Sequence, residues 1–576
     1  MSVLARVFSC ALLAALPLAA SADPPVPGTR GAVTAEPLLP PPQGTPCVVA
    51  LYTDEVFNNF DLHDFDYAPP PNCPGPYSKI VLRADFSVTT GRQFDRTANL
   101  WIGGVNLYFG TTQEPSAAVA PTWRIERDVS DYVSLLATAS RGKIDLGNVV
   151  NDTYTGILHG SAQLLFYPDV ANWPDRPRRP DRVFALAGGE LGGVTDLNGS
   201  DARFSRTLTL PTNTERVFLD VVAEAQLNDE FWMTCVPDDL ADALQSCNHT
   251  AFRETQVRID DELAGIAPIY PWLYTGAIDP SVWRPIPGVQ TLAFEPWRVD
   301  LSPFAAKLND GQPHTVSLSV FNAGDHFSMA ANLLVYLDSA STRVRGALTS
   351  NTLAATASPT VVHDGMSVDV VANRSHTIAG YVDTSRGRIE TTIQQTIAFS
   401  SEQDFDISDT VFKQHITQGT DVSTTTRVKQ GGATAVLHEA RHFPLALNID
   451  FAQLEVGAQQ TVTAKQGMHR AIETGFEGYA MRTATIDNTI DNADTLLLNA
   501  DGTLAGRQGW RGNQRYQYKN TYGQCYSREI ASADGAITTA TDGAGCQGGS
   551  NYLSWFDEFY NYASSVFDAT VPVLHQ

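Results

Sequence analysis

Carboxylates set beside aromatic rings, on segments that a core does not require, are the residues of this chain whose types and spacing could do chemistry. The first lies in Gly91 to Gly104, GRQFDRTANLWIGG. Read as an extended strand, it turns Phe94, Ala98 and Leu100 to one face and Asp95, Thr97 and Asn99 to the other. Asp95 therefore stands off the core face, next to Arg96. Further along, Asn228-Asp229-Glu230-Phe231-Trp232 places acids beside two aromatics. In Phe252 to Asp260, Val257 and Ile259 fit a core face, so Glu254, Gln256 and Arg258 point away from it. Trp283-Arg284-Pro285 adds a ring and a cation, and Asn151 to Thr155 offers Asp152 and other polar groups around Tyr154. Such a rim supplies hydrogen bonds for hydroxyls and a ring face for a sugar. Two carboxylates of different pKa can then divide the work, one activating water and the other giving a proton to a leaving group.

A rival pattern is His438-Glu439-Ala440-Arg441-His442, a literal H-E-x-x-H. Its zinc chemistry needs a helix, so that the two histidines share one face around one metal. Gly431-Gly432 upstream, Pro444 downstream and the alternation of Leu445, Leu447 and Ile449 argue for a strand instead. A zinc metalloprotease is the weakest of the readings; a glycan-binding jelly roll without catalysis is another.

The elements that must position these groups read as β. From about Pro46, short runs rich in Val, Ile, Thr, Tyr and Phe alternate with Gly, Pro, Asn and Asp turns, the pattern of sandwiches and jelly rolls. With 576 residues the chain exceeds a single core. Met1 to Ala22 has the charged start, apolar stretch and Ala20-Ser21-Ala22 ending of a cleavable secretory signal. Residues 23–45 read as a Pro-rich linker or arm. The Pro-rich break at 168–180 and a second change of character near 338–345 divide the remainder into domains at 46–175, 176–337 and 338–576, the last read as sandwich-like.

Apart from Cys10 in the signal, six cysteines remain, Cys47, Cys73, Cys235, Cys247, Cys525 and Cys546. Fifteen pairings are open to them. They fall in three sequence-local couples, so Cys47–Cys73, Cys235–Cys247 and Cys525–Cys546 are expected, in an oxidising compartment, secreted or periplasmic. A formal charge of −24 without any Lys/Arg tract excludes nucleic acid and anionic membranes as partners. No apolar run after the signal is long enough to span a bilayer. A monomer is expected.

The stretches GRQFDRTANLWIGGV, NDTYTG, LPTNTE, NDEFW, FRET with IDD, TGAIDP with WRP, and VDLSPF occur in this order, with RGNQRYQYKNTYGQCYSRE near the C-terminus. Together they resemble the peptide-N-glycosidase A family of acid-type peptide-N4-(N-acetyl-β-glucosaminyl)asparagine amidases. The first two domains are similar to the bacterial F-type amidase. That resemblance implies an all-β fold, with two adjacent antiparallel jelly rolls, catalytic carboxylates at their junction and a C-terminal β-rich domain. It implies hydrolysis of the N-acetylglucosamine–asparagine amide of N-glycosylated peptides or proteins, at acidic pH, with no metal or cofactor. Phe94-Asp95-Arg96 resembles the F-type Trp-Asp-Arg segment, which makes Asp95 the principal acid. The second-domain partner is Glu254, or else Glu230. Arg96, Asp152, Tyr154, Trp232, Trp283 and Arg284 are the substrate-binding candidates.

Overall fold

In the computed structural model the described residues are 24–40, 44–169, 178–476, 478–521, 523–549, 551 and 553. The signal at 1–22 and residues 170–177 of the Pro-rich break lie outside them. The fold is all-β. Two jelly-roll sandwiches stand side by side, and a wide sheet follows.

The first sandwich faces one four-stranded sheet, in the order Cys47–Phe57, Leu158–Pro168, Tyr77–Val88 and Thr122–Asp128, against another, His63–Tyr67, Ser140–Asp145, Thr97–Ile102 and Val105–Thr111. Alternation in Tyr77–Val88 sends Ile80, Leu82, Ala84 and Phe86 into a shared apolar core. The second sandwich pairs Thr195–Leu197, His326–Leu337, Thr214–Gln226 and Trp297–Asp300 against Phe204–Leu208, His314–Phe321, Glu254–Ile259 and Glu262–Pro268.

The two sandwiches meet through their inner sheets, so these strands have no solvated face. Thr97–Ile102 is buried at every position but its first, and Thr214–Gln226 at every position but its last. The face of Thr97 and Asn99, read from the sequence as pointing off the core, is the seam with the second sandwich. Only the strand's start departs from that reading: Gly91 to Arg96 is a loop, and Phe94 is exposed rather than in the core. Polar groups at the seam are matched across it. Asn332 Oδ1 accepts from the Asn106 N–H (3.2 Å) while its Nδ2 donates to Asn106 O (2.8 Å). Tyr132 Oη donates to Asp220 Oδ2 (2.9 Å).

Residues 345–542 form one 11-stranded antiparallel sheet, from Arg345–Asn351 to Ala536–Asp542, with strands of up to 21 residues. This corrects the sandwich-like expectation for 338–576. Alternate residues of Ser367–Thr384 and Gly387–Ile407 are buried and exposed. Only one face needs cover, and the second sandwich supplies it; Phe399 packs on Phe252, ring centroids 5.2 Å apart.

Nor is 23–45 a free linker where it is described. Gly28 N–H donates to Ile537 O and Ile537 N–H to Thr29 O, and Ala35, wholly buried, donates its N–H to Gln514 Oε1 (2.7 Å). Its sparse apolar side chains hid this, because backbone groups make the attachment. The three disulfides pair Cys47 with Cys73, Cys235 with Cys247 and Cys525 with Cys546.

Asn332→Ala removes the partners of both Asn106 backbone groups inside the seam, a loss of about 2 kcal/mol for buried groups left unpaired. Urea unfolding should show it as a lowered midpoint, and an unchanged midpoint would show that the pair contributes nothing.

Candidate active site

Asp95 sits in the loop that leads into Thr97–Ile102, and the loop is tied on both sides. Gln93 is buried and its Nε2 donates to Val149 O (2.8 Å) and Gly156 O (3.0 Å). Arg96 N–H donates to Thr112 Oγ1 (2.9 Å), and Thr112 N–H to Arg96 O (2.9 Å). Asp95 N–H then donates to Glu114 Oε1 (3.2 Å), just past the end of Val105–Thr111. Across the seam, Gly276 N–H donates to the Asp95 carboxylate, and Arg284 Nη2 to Glu114 Oε2 (2.7 Å). Both carboxylates converge on Gly276. A Cβ there would collide with Asp95 Oδ1 and lie 2.6 Å from Glu114 Oε1, so only glycine lets the loop close over them.

The second sandwich adds two more acids. Glu224 projects from Thr214–Gln226 into the seam, where its Oε1 accepts from Thr97 Oγ1 (2.7 Å) and its Oε2 from Gln226 Nε2 (2.7 Å). Tyr274 Oη donates to the neighbouring Ala225 O (2.7 Å). Glu230 follows the turn Leu227–Asp229 and is partly exposed.

Burial disfavours the charged form of all four, and at Glu114, Glu224 and Glu230 the charge on Asp95 adds to it. Burial pushes Asp95 up to about 6 against the pull of Gly276 N–H, its own N–H, Arg96 and Arg284. Glu114 is pushed up to about 7 by burial and then by Asp95, with Arg284 opposing. Glu230 reaches about 7 for the same two reasons. Glu224, wholly enclosed, is pushed up to about 8 by burial, against its bonds to Thr97 and Gln226. Asp95 is thus the group that ionises first. An acid beside groups that hold their protons is the division of labour that general acid–base chemistry needs.

Of the candidates named from the sequence, the structure brings Asp95, Glu230, Arg96 and Arg284 together. Glu254 is elsewhere: its Oε2 lies 3.1 Å from Arg374 Nε of the wide sheet and its Oε1 accepts from Gln256 Nε2 (3.1 Å). The face that carries it points away from its own core, as the alternation implies, but the wide sheet covers that face. Trp232 and Trp283 are corrected too. They are 2% and 0% exposed; Trp232 packs toward Phe399, and Trp283 Nε1 donates to Ala277 O (2.8 Å), so neither offers a ring to a ligand. Tyr154 is partly exposed. It packs against exposed Phe94, the residue before Asp95, with ring centroids 5.2 Å apart, and Arg92 lies 5.5 Å from its centre. Asp152 is exposed in the same loop, whose turn is made by Thr153 and Tyr154 N–H donating to Asn151 Oδ1.

Sequence reasoning missed Glu114, Glu224 and the Gly276 N–H. Glu224 left a signal, an acid inside the otherwise apolar run Val221-Val222-Ala223-Glu224-Ala225. His438 to His442 lies in the strand Ala433–Gln453, where Glu439 faces inward and pairs with Arg441 (2.8 Å) and Arg470 (2.6 Å). His442 faces outward to Asp421 (2.8 Å). The zinc-protease reading falls with that alternation. Among the described residues, no group of three His, Cys, Asp or Glu is arranged to hold a metal ion, and no helix is long and apolar enough to cross a membrane. A cavity of about 150 Å³ where both sandwiches meet the wide sheet is lined by none of the four clustered acids. There Arg298 pairs with Asp131 (2.7 Å) and Asp220 (2.7 Å).

Two all-β sandwiches with clustered carboxylates at their junction describe a class; the sequence places the chain within it. The chain belongs to the peptide N-acetyl-β-D-glucosaminyl asparaginase amidase A family, whose model matches residues 45–354. A relative from Prunus dulcis, peptide-N4-(N-acetyl-β-glucosaminyl)asparagine amidase A, is 29% identical over 360 residues, which are 58% of this chain and 62% of that protein. The chain thus spans under two thirds of that relative's length. Among solved structures, a peptide-N(4)-(N-acetyl-β-D-glucosaminyl)asparagine amidase is similar at 14% identity and a TM-score of 0.31, over 50% of this chain and 96% of its own. Recombinant N-glycanase F is similar at 14% identity and a TM-score of 0.33, over 51% and 96%.

Four acids whose folded-state values lie above their ordinary ones bind more protons in the native than in the unfolded state. Their contribution to stability is therefore full below about pH 4 and is lost as pH rises through about 6 to 8. Melting temperatures across that range should fall less steeply for Glu224→Gln than for the unmodified protein. Parallel curves would place Glu224 outside the titrating group.

Proposed function

We propose that the chain is an exported amidase that hydrolyses the bond between the first N-acetylglucosamine and the asparagine side chain of N-glycosylated peptides and proteins. The observation that carries this is the convergence of Asp95, Glu114, Glu224 and Glu230 on one seam, in a chain of the amidase A family. The signal-like leader and three disulfides support action outside the cytosol. The reading needs no nucleic acid, membrane, metal or second subunit.

Asp95 is the base. As the most acidic of the four it is ionised while its neighbours keep their protons, and it takes a proton from a water that adds to the amide carbonyl. Glu230, at the open side of the cluster, is the proton donor. The carbon–nitrogen bond then breaks, with the Glu230 proton going to the departing nitrogen. Asn becomes Asp and the glycan leaves as a glycosylamine. Glu224, fixed by Thr97 and Gln226, stays protonated and adds no second charge beside Asp95. Glu114 with Arg284 holds the Asp95 loop to Gly276. The Phe94 and Tyr154 rings, with Arg92, Arg96 and Asp152 around them, form the platform for the sugar.

The rate should rise with the ionisation of Asp95 near about 6 and fall with that of Glu230 near about 7, a weakly acidic optimum. On a denatured N-glycopeptide, mass spectrometry should find the peptide with Asp where Asn stood. Asp95→Asn should lower kcat/KM about 10³-fold, the scale of a lost general base, while Glu254→Gln leaves it unchanged. Release of sugar with Asn retained would make the protein a glycosidase, and binding without any product would make it a lectin-like jelly roll.

A further inference from the structure

The segment that closes the site, Tyr270 to Gln290, has two working sides. Its front gives Gly276 N–H to Asp95 and Arg284 to Glu114. Its back lies on the inward face of the wide sheet, which holds it by side-chain hydrogen bonds to its backbone. Asn492, wholly buried on Tyr479–Leu498, donates through Nδ2 to Val282 O (3.0 Å) and Ile286 O (2.9 Å), two residues before and two after Arg284. Trp510 Nε1 donates to Ser281 O (2.7 Å). Gln466 Nε2 donates to Pro271 O (2.6 Å) and its Oε1 accepts from Val289 N–H (2.9 Å).

The turn after Glu230 is held the same way. Gln403 Nε2 donates to Cys235 O (3.0 Å), and Gln414 Nε2 to Thr234 O (2.8 Å) and to Gln403 Oε1 (2.8 Å). A buried amide on a sheet's inner face is costly unless paired; each of these gives at least one bond to the loops that carry site residues, while Gln414 also donates to Gln403 and Asn492 Oδ1 accepts from Asn513 N–H (3.3 Å) within the sheet. The family model ends at residue 354, before these amides.

We propose that the C-terminal sheet is a working part of the active site and that Asn492 is a positioning residue, which sets Arg284 against Glu114 by gripping the backbone on either side of it. The inference rests on the amidase reading for its activity readout. Loss of Asn492 releases Arg284, and with it one of the cations that hold Asp95 down. A group displaced by a fraction of an ångström at a reacting centre costs rate more than binding.

The test compares Asn492→Ala with Asn351→Ala in the full chain. Asn351 is the matched case: its Nδ2, also on the wide sheet, donates to Leu263 O (2.9 Å) of the second sandwich, away from the site. Asn492→Ala should lower kcat about tenfold with KM little changed, and move the acid limb of the pH profile to higher pH. Asn351→Ala should lower the melting temperature and leave kcat and that limb in place. Trp510→Phe, which removes the indole N–H and leaves a smaller aromatic ring, should move the limb the same way by less, and reads the proposal even if Asn492→Ala does not fold. Variants that lose stability with the limb unmoved would overturn it and make the sheet a scaffold alone. If the unmodified protein releases no glycan, the amidase reading is what fails. Infrared titration of the Glu114 carboxyl, with Glu114→Gln subtracted, then still reports whether Asn492→Ala raises it.

Discussion

Repulsion among acids gathered in a place with little water is the constraint on which the rest of the molecule depends. Two charges roughly 4 Å apart interact by about 4 kcal/mol at an effective dielectric of 20. The seam avoids that cost by keeping most of the four carboxyls protonated, and it tolerates one charge where the donors are densest, at Asp95 with Gly276 N–H and two arginines nearby. The donors arrive from both sandwiches. Gly276 and Arg284 come from the second sandwich, Arg96 from the first, and Thr97 reaches Glu224 across the seam. Strands buried on both faces are the natural source of such a site, because they place polar side chains between two cores rather than in water.

That arrangement explains why the molecule extends beyond two sandwiches. A segment like Tyr270 to Gln290, with little regular structure, cannot hold Gly276 over Asp95 by itself, since its backbone groups would be solvated and free to move. The wide sheet satisfies them from behind. The N-terminal arm adds to this: Val33 N–H donates to Pro285 O (2.8 Å), next to Arg284, and Asn488 Nδ2 donates to Glu36 Oε1 (2.8 Å). A sheet with alternate polar and apolar positions needs only one partner surface, and its inner amides give that surface a register.

The sequence disclosed what depends on local chemistry. Alternation marked the strands, turn residues marked their ends, and the short spacing of the cysteines marked the disulfides. The wide sheet's single covered face is the same alternation seen over strands of about twenty residues. What alternation does not disclose is which surface lies opposite. Alternation turns both Glu254 and Asp95 away from a core; one meets Arg374 and the other meets Gly276. Trp232 and Trp283 looked like ligand rings because they stand next to charged residues in sequence, yet both turn inward. Glu114 follows a strand whose every residue is buried, so nothing in its own neighbourhood sets it apart; its role arises from Arg284, 170 residues away.

The proposed division of labour assigns different parts to the two second-sandwich acids because of coupling within the cluster. Once Asp95 is charged it raises both Glu224 and Glu230, so the cluster titrates as a unit with a single charge over the weakly acidic range. The proton that is useful is one that can leave, and Glu224 cannot offer it: both its oxygens are engaged by Thr97 and Gln226, and no part of it is open. Glu230 is held by burial and by the charge on Asp95, with its side partly open to a ligand. In the proposed mechanism, as Asp95 gains a proton from water its charge is lost, and with it the field that raised Glu230, so proton uptake at one acid favours proton release at the other. The same repulsion that makes the seam costly to assemble thereby links the two halves of the proton transfer.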